Sequence, residues 1–209
     1  MPAPVNGPLA TRTPGEWRGL KEALKLQARI LFGVIALLWA AELADAIVFG
    51  GALDGYGIRP RSFGGLLGIA LAPLLHGGFR HLMANSVPLV VLGWFVMLRE
   101  TRDYFVVAFF STLVGGVGVW LIGATNSVHI GASGVVFGFL GYLLSRGYFE
   151  RRFLPMLGSI VVGLMYGGTL FGLLPGQRGI SWEGHLFGFL GGVLAAKVLA
   201  SRVGESRPK

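Results

Sequence analysis

Long apolar stretches alternate with short polar segments along most of the chain. Apolar runs of about 20 residues are long enough to cross the hydrocarbon core of a membrane as helices. The stretch 104–145 contains no Asp, Glu, Lys or Arg. As a single helix it would measure about 63 Å, so we expect it to fold back at the turn-rich segment 123–131. The pattern predicts six spans, at residues 30–49, 82–98, 104–123, 131–149, 153–173 and 184–200.

The remaining segments complete the predicted domain organisation. The apolar stretch 64–75 is too short to span, so we expect it to be interfacial or re-entrant. Residues 1–27 are predicted to form a disordered cytoplasmic tail, 28–201 the membrane domain, and 202–209 a cytoplasmic C-terminal tail. A cleaved signal peptide is the alternative for the first span. The long leader that precedes the apolar core disfavours it.

Composition narrows the class of protein. Of the 209 residues, 53% are hydrophobic and only 13% are charged, whereas about 25% are charged in an ordinary soluble domain. These values exclude disordered and fibrous proteins and most water-soluble enzymes. The absence of Cys excludes disulfides, thiolate zinc sites and cysteine nucleophiles. With 35 glycines and no collagen-like period, the chain is predicted to be an all-α polytopic membrane protein with closely packed helices.

The basic residues predict the orientation in the membrane. Most of the 18 Lys and Arg residues flank the spans on one side, which the positive-inside rule assigns to the cytoplasm. Both termini should therefore be cytoplasmic. The exceptions, which should face outward, are Arg59, Arg61, Arg80 and Arg178. Topology and contact with anionic lipid account for the net charge of +8, so no nucleic-acid partner is expected.

Three sets of polar residues occur within predicted spans, where polar groups are costly and indicate function. His81 and Asn85 lie one helical turn apart at the start of span 2, so they share a face. Ser133 lies at the start of span 4, and His185 at the start of span 6. Because these three spans run from outside to inside, we expect all of these residues at one depth near the outer surface.

Glycine stripes predict which helices touch. The stripes consist of Gly134 and Gly138 in span 4 and of Gly184, Gly188 and Gly192 in span 6. Small residues at this spacing let two helices approach closely in lipid. Packing of the two stripes would bring the Ser133 hydroxyl to the His185 imidazole. Phe137, one turn after Ser133, would then be able to stack on the imidazole ring.

These residues predict nucleophilic catalysis. Ser133 would be the nucleophile and His185 its general base. Glu42, Asp45 and Glu183 are not placed convincingly as a third member, so we expect a dyad. The oxyanion site would be built from the backbone N–H of Ser133, the Asn85 amide and the His81 imidazole. The small residues Gly131 and Gly134 would permit the close approach of the backbone at that site.

Three segments, 76–85, 131–138 and 184–188, carry a family resemblance. They are similar to the His-x4-His-x3-Asn, Gly-x-Ser-Gly and His-x-x-Gly motifs of rhomboid intramembrane serine proteases, in the bacterial six-span form. The resemblance covers about residues 28–200. It implies cleavage of peptide bonds in or near transmembrane segments of other proteins, without a metal or organic cofactor. It also implies location in the inner membrane, with the active site towards the outer side.

The chain departs from the family pattern in two places. The family often has Trp-Arg in its first loop, here residues 50–79, whereas this chain has Ile-Arg-Pro-Arg at 58–61 and no Trp. The ring after the serine motif is commonly Tyr in the family and is Phe137 here. His76 matches a family histidine and is interpreted as a packing residue. Residues 173–182 have the composition of a lid, which we expect to move together with span 5.

Two other functions stay open at this point. A catalytically silent relative would bind or escort membrane clients, although such relatives usually lack the serine or the histidine. A small metal or proton transporter would use His76, His81, His129 and His185. The sequence shows neither an inverted repeat nor a carboxylate placed to complete a metal site. We interpret His129 as a loop residue. The oligomeric state does not follow from the sequence.

Overall fold

The protein is described here by a computed structural model that covers residues 14–177 and 179–205, with side chains for 15–177 and 179–201. Seven α-helices account for most of these residues. They are α1 (Pro14–Ala44), α2 (Phe63–Leu71), α3 (Phe79–Met97), α4 (Asp103–Ile122), α5 (Ser133–Glu150), α6 (Phe153–Tyr166) and α7 (Trp182–Glu205). Short helical turns extend three of them: Asp45–Phe49 after α1, Ala72–Leu74 after α2 and Gly167–Leu173 after α6.

The helices follow the predicted spans closely. Among the described residues, five helical segments are long and apolar enough to cross a membrane: Gly15–Phe49, Phe79–Met97, Asp103–Ile122, Phe153–Leu173 and Trp182–Ser201. The predicted span 131–149 is also a helix, α5, but it has only 18 residues and includes Arg146 and Glu150. The helical bundle is therefore as predicted, while the count of six membrane crossings stays a prediction. The short stretch 64–75 forms α2 and its extension.

The first helix starts earlier than expected. A disordered tail was predicted for 1–27, whereas α1 begins at Pro14 and is continuous to Ala44. Proline suits the first turn of a helix because its missing N–H would have no partner there, and Glu16 lies in the same turn, where a negative charge is favourable. Residues 1–13 and 206–209, which are about half of each predicted tail, lie outside the described residues, as does Arg178.

Helix α5 occupies the centre of the bundle. Ten of its residues are buried, including Phe139, Leu140 and Tyr142, which have no exposed surface. Helix α7 packs along α5 and α4, whereas α6 packs mainly on α5 at the edge. Large apolar side chains cover the outside of the bundle, for example Phe32 and Leu164. This outer surface suits contact with lipid rather than with water.

The first loop is anchored on the end of α4. The Arg61 guanidinium donates to the carbonyl oxygens of Leu121 at 2.9 Å and Gly123 at 2.7 Å, which satisfies carbonyls that the helix end leaves without partners. The Trp120 indole donates to the Ser62 carbonyl at 2.9 Å. A Trp and an Arg therefore do hold this loop, but α4 supplies the Trp, which explains its absence from the loop sequence.

Candidate functional site

Ser133 and His185 meet at the start of their helices. Ser133 is the first residue of α5, and His185 is the fourth residue of α7. The Ser133 Oγ lies 2.8 Å from the His185 Nε2, within hydrogen-bond distance for a serine and its base. The imidazole is buried, with 9% of its surface exposed. The structure therefore brings together the two residues that the sequence singled out.

The glycine stripes produce this approach. A Cβ on Gly188 would collide with the Gly134 carbonyl, and a Cβ on Gly192 with the Gly138 carbonyl. On the other helix, a Cβ on Gly134 would lie 3.3 Å from the Gly184 carbonyl oxygen. Only helices without side chains at these positions can pack so closely. The contact between α5 and α7 has the predicted register, with Ser133 beside His185 at the end where both helices begin.

The ring of Phe137 stacks on the imidazole of His185. Their centroids are 4.1 Å apart and their planes differ by 15°. Phe137 lies one turn after Ser133 on α5 and is itself buried. Because the two rings stack, the imidazole keeps one orientation, in which Nε2 points towards Ser133 and Nδ1 points away from it.

A backbone carbonyl completes the surroundings of His185. The Nδ1 of His185 lies 3.0 Å from the Gly172 carbonyl oxygen, in the helical turn after α6. Because a carbonyl only accepts hydrogen bonds, Nδ1 carries the hydrogen. In the neutral imidazole Nε2 then has the lone pair, and it accepts a hydrogen bond from the Ser133 hydroxyl. Among the described residues no carboxylate is hydrogen-bonded to His185, and Gly172 takes the orienting place.

The sequence did not reveal Gly172, because a backbone carbonyl leaves no side-chain signal. One local feature fits its position: a Cβ on Gly172 would lie 2.8 Å from the Phe137 ring and 3.3 Å from the His185 Nδ1. Only glycine allows the carbonyl to come this close to the stacked pair. Beyond it, the predicted lid is tied to the turn after α6, since the Gln177 side chain donates to the Phe171 carbonyl at 2.7 Å.

Asn85 and His81 face the turn that precedes Ser133. The Asn85 amide nitrogen is buried and has no hydrogen-bond partner among the described residues. His81 accepts a long hydrogen bond on Nδ1 from the Gly77 amide at 3.4 Å, so its Nε2 carries the hydrogen. Two donors are thus available on one face of α3. An unpartnered buried amide costs about 1–3 kcal/mol, so a negatively charged oxygen placed here would gain a ready donor.

Gly131 separates these donors from Ser133. Its φ angle is +114°, which strongly favours glycine, and a Cβ would lie 2.8 Å from the His81 Nε2 and 3.6 Å from the Asn85 Nδ2. Its own amide donates to the Ala72 carbonyl at 2.8 Å. Gly131 therefore makes room at this place and contributes no free N–H. The amide of Ser133 belongs to the first turn of α5, where N–H groups lack helical acceptors.

His76 supports the same turn from behind. It has 1% of its surface exposed, and its Nε2 accepts a hydrogen bond from the Ala132 amide at 3.3 Å. Its ring meets the edge of His81, with centroids 5.2 Å apart. Burial, and to a lesser extent His81, lowers the pKa of His76 to about 4. The neutral ring both packs, as the sequence suggested, and fixes the residue next to Ser133.

Two acidic residues, Asp45 and Asp54, lie just before the first loop and within it. The Asp45 carboxylate accepts a hydrogen bond from the Leu53 amide at 2.9 Å, which fixes the turn after α1. Burial raises the pKa of Asp54 further along the loop, and the nearby Asp45 adds to this. Among the described residues, no three His, Cys, Asp or Glu side chains are arranged to hold a metal ion.

Comparisons with known proteins identify the family of this chain. The family model described as the Rhomboid domain matches residues 64–202. An uncharacterized protein of Mycobacterium tuberculosis (strain H37Rv) is 42% identical over 181 residues, which cover 83% of this chain and 75% of that protein. A second relative, YdcA of Bacillus subtilis (strain 168), is named as a rhomboid protease. It is 32% identical over 124 residues, which cover 58% of this chain and 61% of YdcA. The chain is therefore a multi-pass integral membrane protein that belongs to the rhomboid family.

Proposed function

We propose that this chain is an intramembrane serine endopeptidase that cleaves other membrane proteins in or near their transmembrane segments. The observation that carries the proposal is the 2.8 Å contact between the Ser133 hydroxyl and a His185 nitrogen whose lone pair faces it. Family membership and the unpartnered donors beside Ser133 support it. Serine and histidine in this relation form an activated nucleophile on many unrelated folds.

The first half of the reaction forms an acyl-enzyme. The Ser133 oxygen attacks the carbonyl carbon of the scissile bond as its proton passes to the His185 Nε2. The oxyanion accepts hydrogen bonds from the Ser133 backbone N–H, the Asn85 amide and the His81 Nε2–H. The tetrahedral intermediate then collapses, the C–N bond breaks, and the leaving amine takes the proton from His185. Throughout, the Gly172 carbonyl holds the Nδ1 hydrogen and stabilises the imidazolium.

The second half needs water. A water molecule attacks the ester carbon, His185 takes its proton, and the C–O bond to Ser133 breaks as the serine oxygen regains a proton from His185. A cavity of about 40 Å³ borders Ser133 on the side of α4, with Ser111 and Ser181 among its lining residues. This volume is large enough to admit water. The positions at the helix starts also suit access from the outer aqueous side.

The substrate would reach the site from the membrane. A helix in lipid satisfies its own backbone groups, so the scissile segment must unwind, which small or helix-breaking residues favour. The edge between α3 and α6 offers a path. An apolar cleft of about 490 Å³ separates these helices at the end of the bundle opposite Ser133, with Phe95, Leu143 and Leu154 among its lining residues, so entry at the level of Ser133 requires α6 to move. We propose that the chain lies in a bacterial inner membrane with both termini on the cytoplasmic side. During substrate entry, α6 and residues 173–182 move.

A serine-directed fluorophosphonate tests the proposal on purified protein. We expect mass spectrometry to find the label on Ser133 in the wild type and to find none in Ser133→Ala or His185→Ala. Ser145→Ala is the matched control, because Ser145 lies on the same helix and its hydroxyl donates to the Gly141 carbonyl at 2.7 Å. That variant should label like the wild type. A folded wild-type protein without label on Ser133 would contradict the proposal and favour client binding.

A further inference from the structure

His129 lies in the loop between α4 and α5, and the reaction described above does not use it. Its backbone pairs with Ile58 of the first loop through two hydrogen bonds, at 2.9 and 3.0 Å. Its half-buried ring lies between two serines: Nδ1 is 2.6 Å from the Ser181 Oγ, and Nε2 is 2.7 Å from the Ser127 Oγ. Both ring nitrogens therefore have short, specific partners.

The partners of the two serines determine the direction of each bond. The Ser127 hydroxyl is 2.6 Å from the Ala124 carbonyl, and it must donate there because a carbonyl only accepts. Its oxygen therefore accepts from His129, so Nε2 carries the hydrogen. Nδ1 then accepts from the Ser181 hydroxyl, whose oxygen accepts in turn from the Gly184 amide at 3.2 Å. Burial lowers the pKa of His129, although Glu183 opposes this, which suits the neutral ring.

This chain of hydrogen bonds joins the starts of two helices. Ser181 is the residue before α7, and its bond to the Gly184 amide caps that helix. Its carbonyl also accepts a hydrogen bond from the His185 amide at 3.0 Å. His129 precedes Ser133 by four residues, as Ser181 precedes His185. The ring therefore connects the segment leading to the nucleophile with the cap of the helix that carries the base.

We infer that His129 is a positioning residue, which fixes the start of α7 relative to the start of α5 by accepting from the Ser181 hydroxyl and donating to the Ser127 hydroxyl. The inference rests on the proposed function, because it assigns to His129 the alignment of Ser133 with His185. The glycine contact sets how close the two helices come and which residues face each other along their length. The His129 bridge adds a tie between the two helix starts, at the level of the reacting groups.

Two substitutions separate the hydrogen bonds from the bulk of the ring. His129→Leu removes both bonds, whereas His129→Gln keeps one donor and one acceptor at similar positions. With a transmembrane reporter substrate, we expect kcat of His129→Leu to fall about 10- to 100-fold while KM stays within about twofold, since a displacement of about 1 Å has effects of this size. We expect His129→Gln to retain kcat within about threefold. Equal losses in the two variants would overturn the inference.

A measurement without catalysis distinguishes a failure of this inference from a failure of the proposed function. In a Ser133→Ala background, we expect His129→Leu to accelerate hydrogen exchange of the backbone amides of 184–186 about 10-fold or more, and His129→Gln to leave it unchanged. Unchanged exchange in His129→Leu would overturn the inference even if the wild type is an active protease. If the wild type neither cleaves nor labels but the exchange effect is present, the proposed function fails and the bridge remains.

Ser127→Ala provides a second variant in case His129→Leu does not fold. It removes only the outer acceptor of the bridge, so we expect a decrease in kcat of about threefold and a smaller change in exchange. Ser181→Ala removes the cap and the bridge together. The double variant Ser181→Ala with His129→Leu should lose no more kcat than Ser181→Ala alone, because both residues act through one hydrogen bond. Multiplicative losses would contradict the shared role.

Discussion

His185 lies between two regions that are built in opposite ways. On one side, α5 and α7 pack through glycines so closely that a Cβ on Gly188 or Gly192 would meet the opposing backbone. On the other side, α6 contributes a single buried residue, Val162, although the structure describes the whole helix. Ser133, the proposed nucleophile, belongs to the tightly packed region, and the Gly172 carbonyl follows a helix that is held to α5 in its first half and is more exposed in its second half. One imidazole therefore takes its two hydrogen bonds from regions that are packed very differently.

The largest expected effect comes from disturbing the tight side. Gly188→Ala would place a methyl group against the Gly134 carbonyl, so α5 and α7 must separate. We expect a destabilisation of about 1–3 kcal/mol and a loss of cleavage of about 100-fold or more. Gly158→Ala on α6 is the matched control, since nothing lies within 4 Å of its added Cβ. Thermal unfolding in detergent and reporter cleavage check both variants. Equal behaviour of the two would refute the difference between the regions.

Asn85→Ala tests the donor that α3 brings to the site. Because one oxyanion donor is lost, we expect kcat to fall about 10- to 1000-fold. The same change removes a buried amide nitrogen without a partner, so stability should stay the same or increase. Steady-state kinetics should show the decrease in kcat, and thermal unfolding should show an unchanged or higher unfolding temperature. A parallel loss of activity and stability would mean that Asn85 holds the fold rather than the oxyanion.

Gly172→Ala tests the loose side. The added Cβ would press on the Phe137 ring and the His185 Nδ1, and we expect the turn after α6 to move away, since little else holds it. The predicted result is a decrease in kcat of about 10-fold with little change in unfolding temperature. Gly168→Ala in the same turn has nothing within 4 Å of its Cβ and should behave like the wild type. A large drop in unfolding temperature for Gly172→Ala would show that this turn is rigidly packed.

The remaining prediction concerns stability at acid pH. The pKa of His76 is about 4 in the folded protein and about 6.5 in an unfolded chain, so the unfolded state takes up the proton first. The stability that the neutral ring contributes is complete above pH 6.5 and is lost as the pH falls towards 4. Between pH 7 and 5 we expect a loss of about 2 kcal/mol.

His76→Gln isolates this contribution from the other titrating groups. A Gln oxygen can still accept from the Ala132 amide but does not titrate. The difference in unfolding temperature between the wild type and His76→Gln, measured in one detergent, should therefore shift against the wild type as the pH falls from 7 to 5. A difference that stays constant over this range would contradict the low pKa of His76.

The sequence predicted the features that depend on side-chain spacing. Glycines every fourth residue predicted the contact of α5 with α7, and the contact placed Ser133 beside His185. The i, i+4 spacing placed His81 and Asn85 together. What it missed depends on backbone groups. The Gly172 carbonyl has no side-chain signature, and neither has the hydrogen bond that the Gly131 amide donates to the Ala72 carbonyl. The sequence also did not identify the Trp that anchors the first loop, because only the fold shows that the end of α4 reaches this loop.

Because α6 is exposed on its outer face, the surrounding lipid would contribute to the free energy of the proposed substrate entry. Side chains such as Phe153 and Leu164 are already about four-fifths exposed, so an outward movement of α6 within the membrane brings little apolar surface into contact with water. The helix would exchange one apolar neighbour for another, and acyl-chain packing and bilayer thickness would set the cost. The speed of admission would then vary with membrane composition, while the chemical step at Ser133 would not.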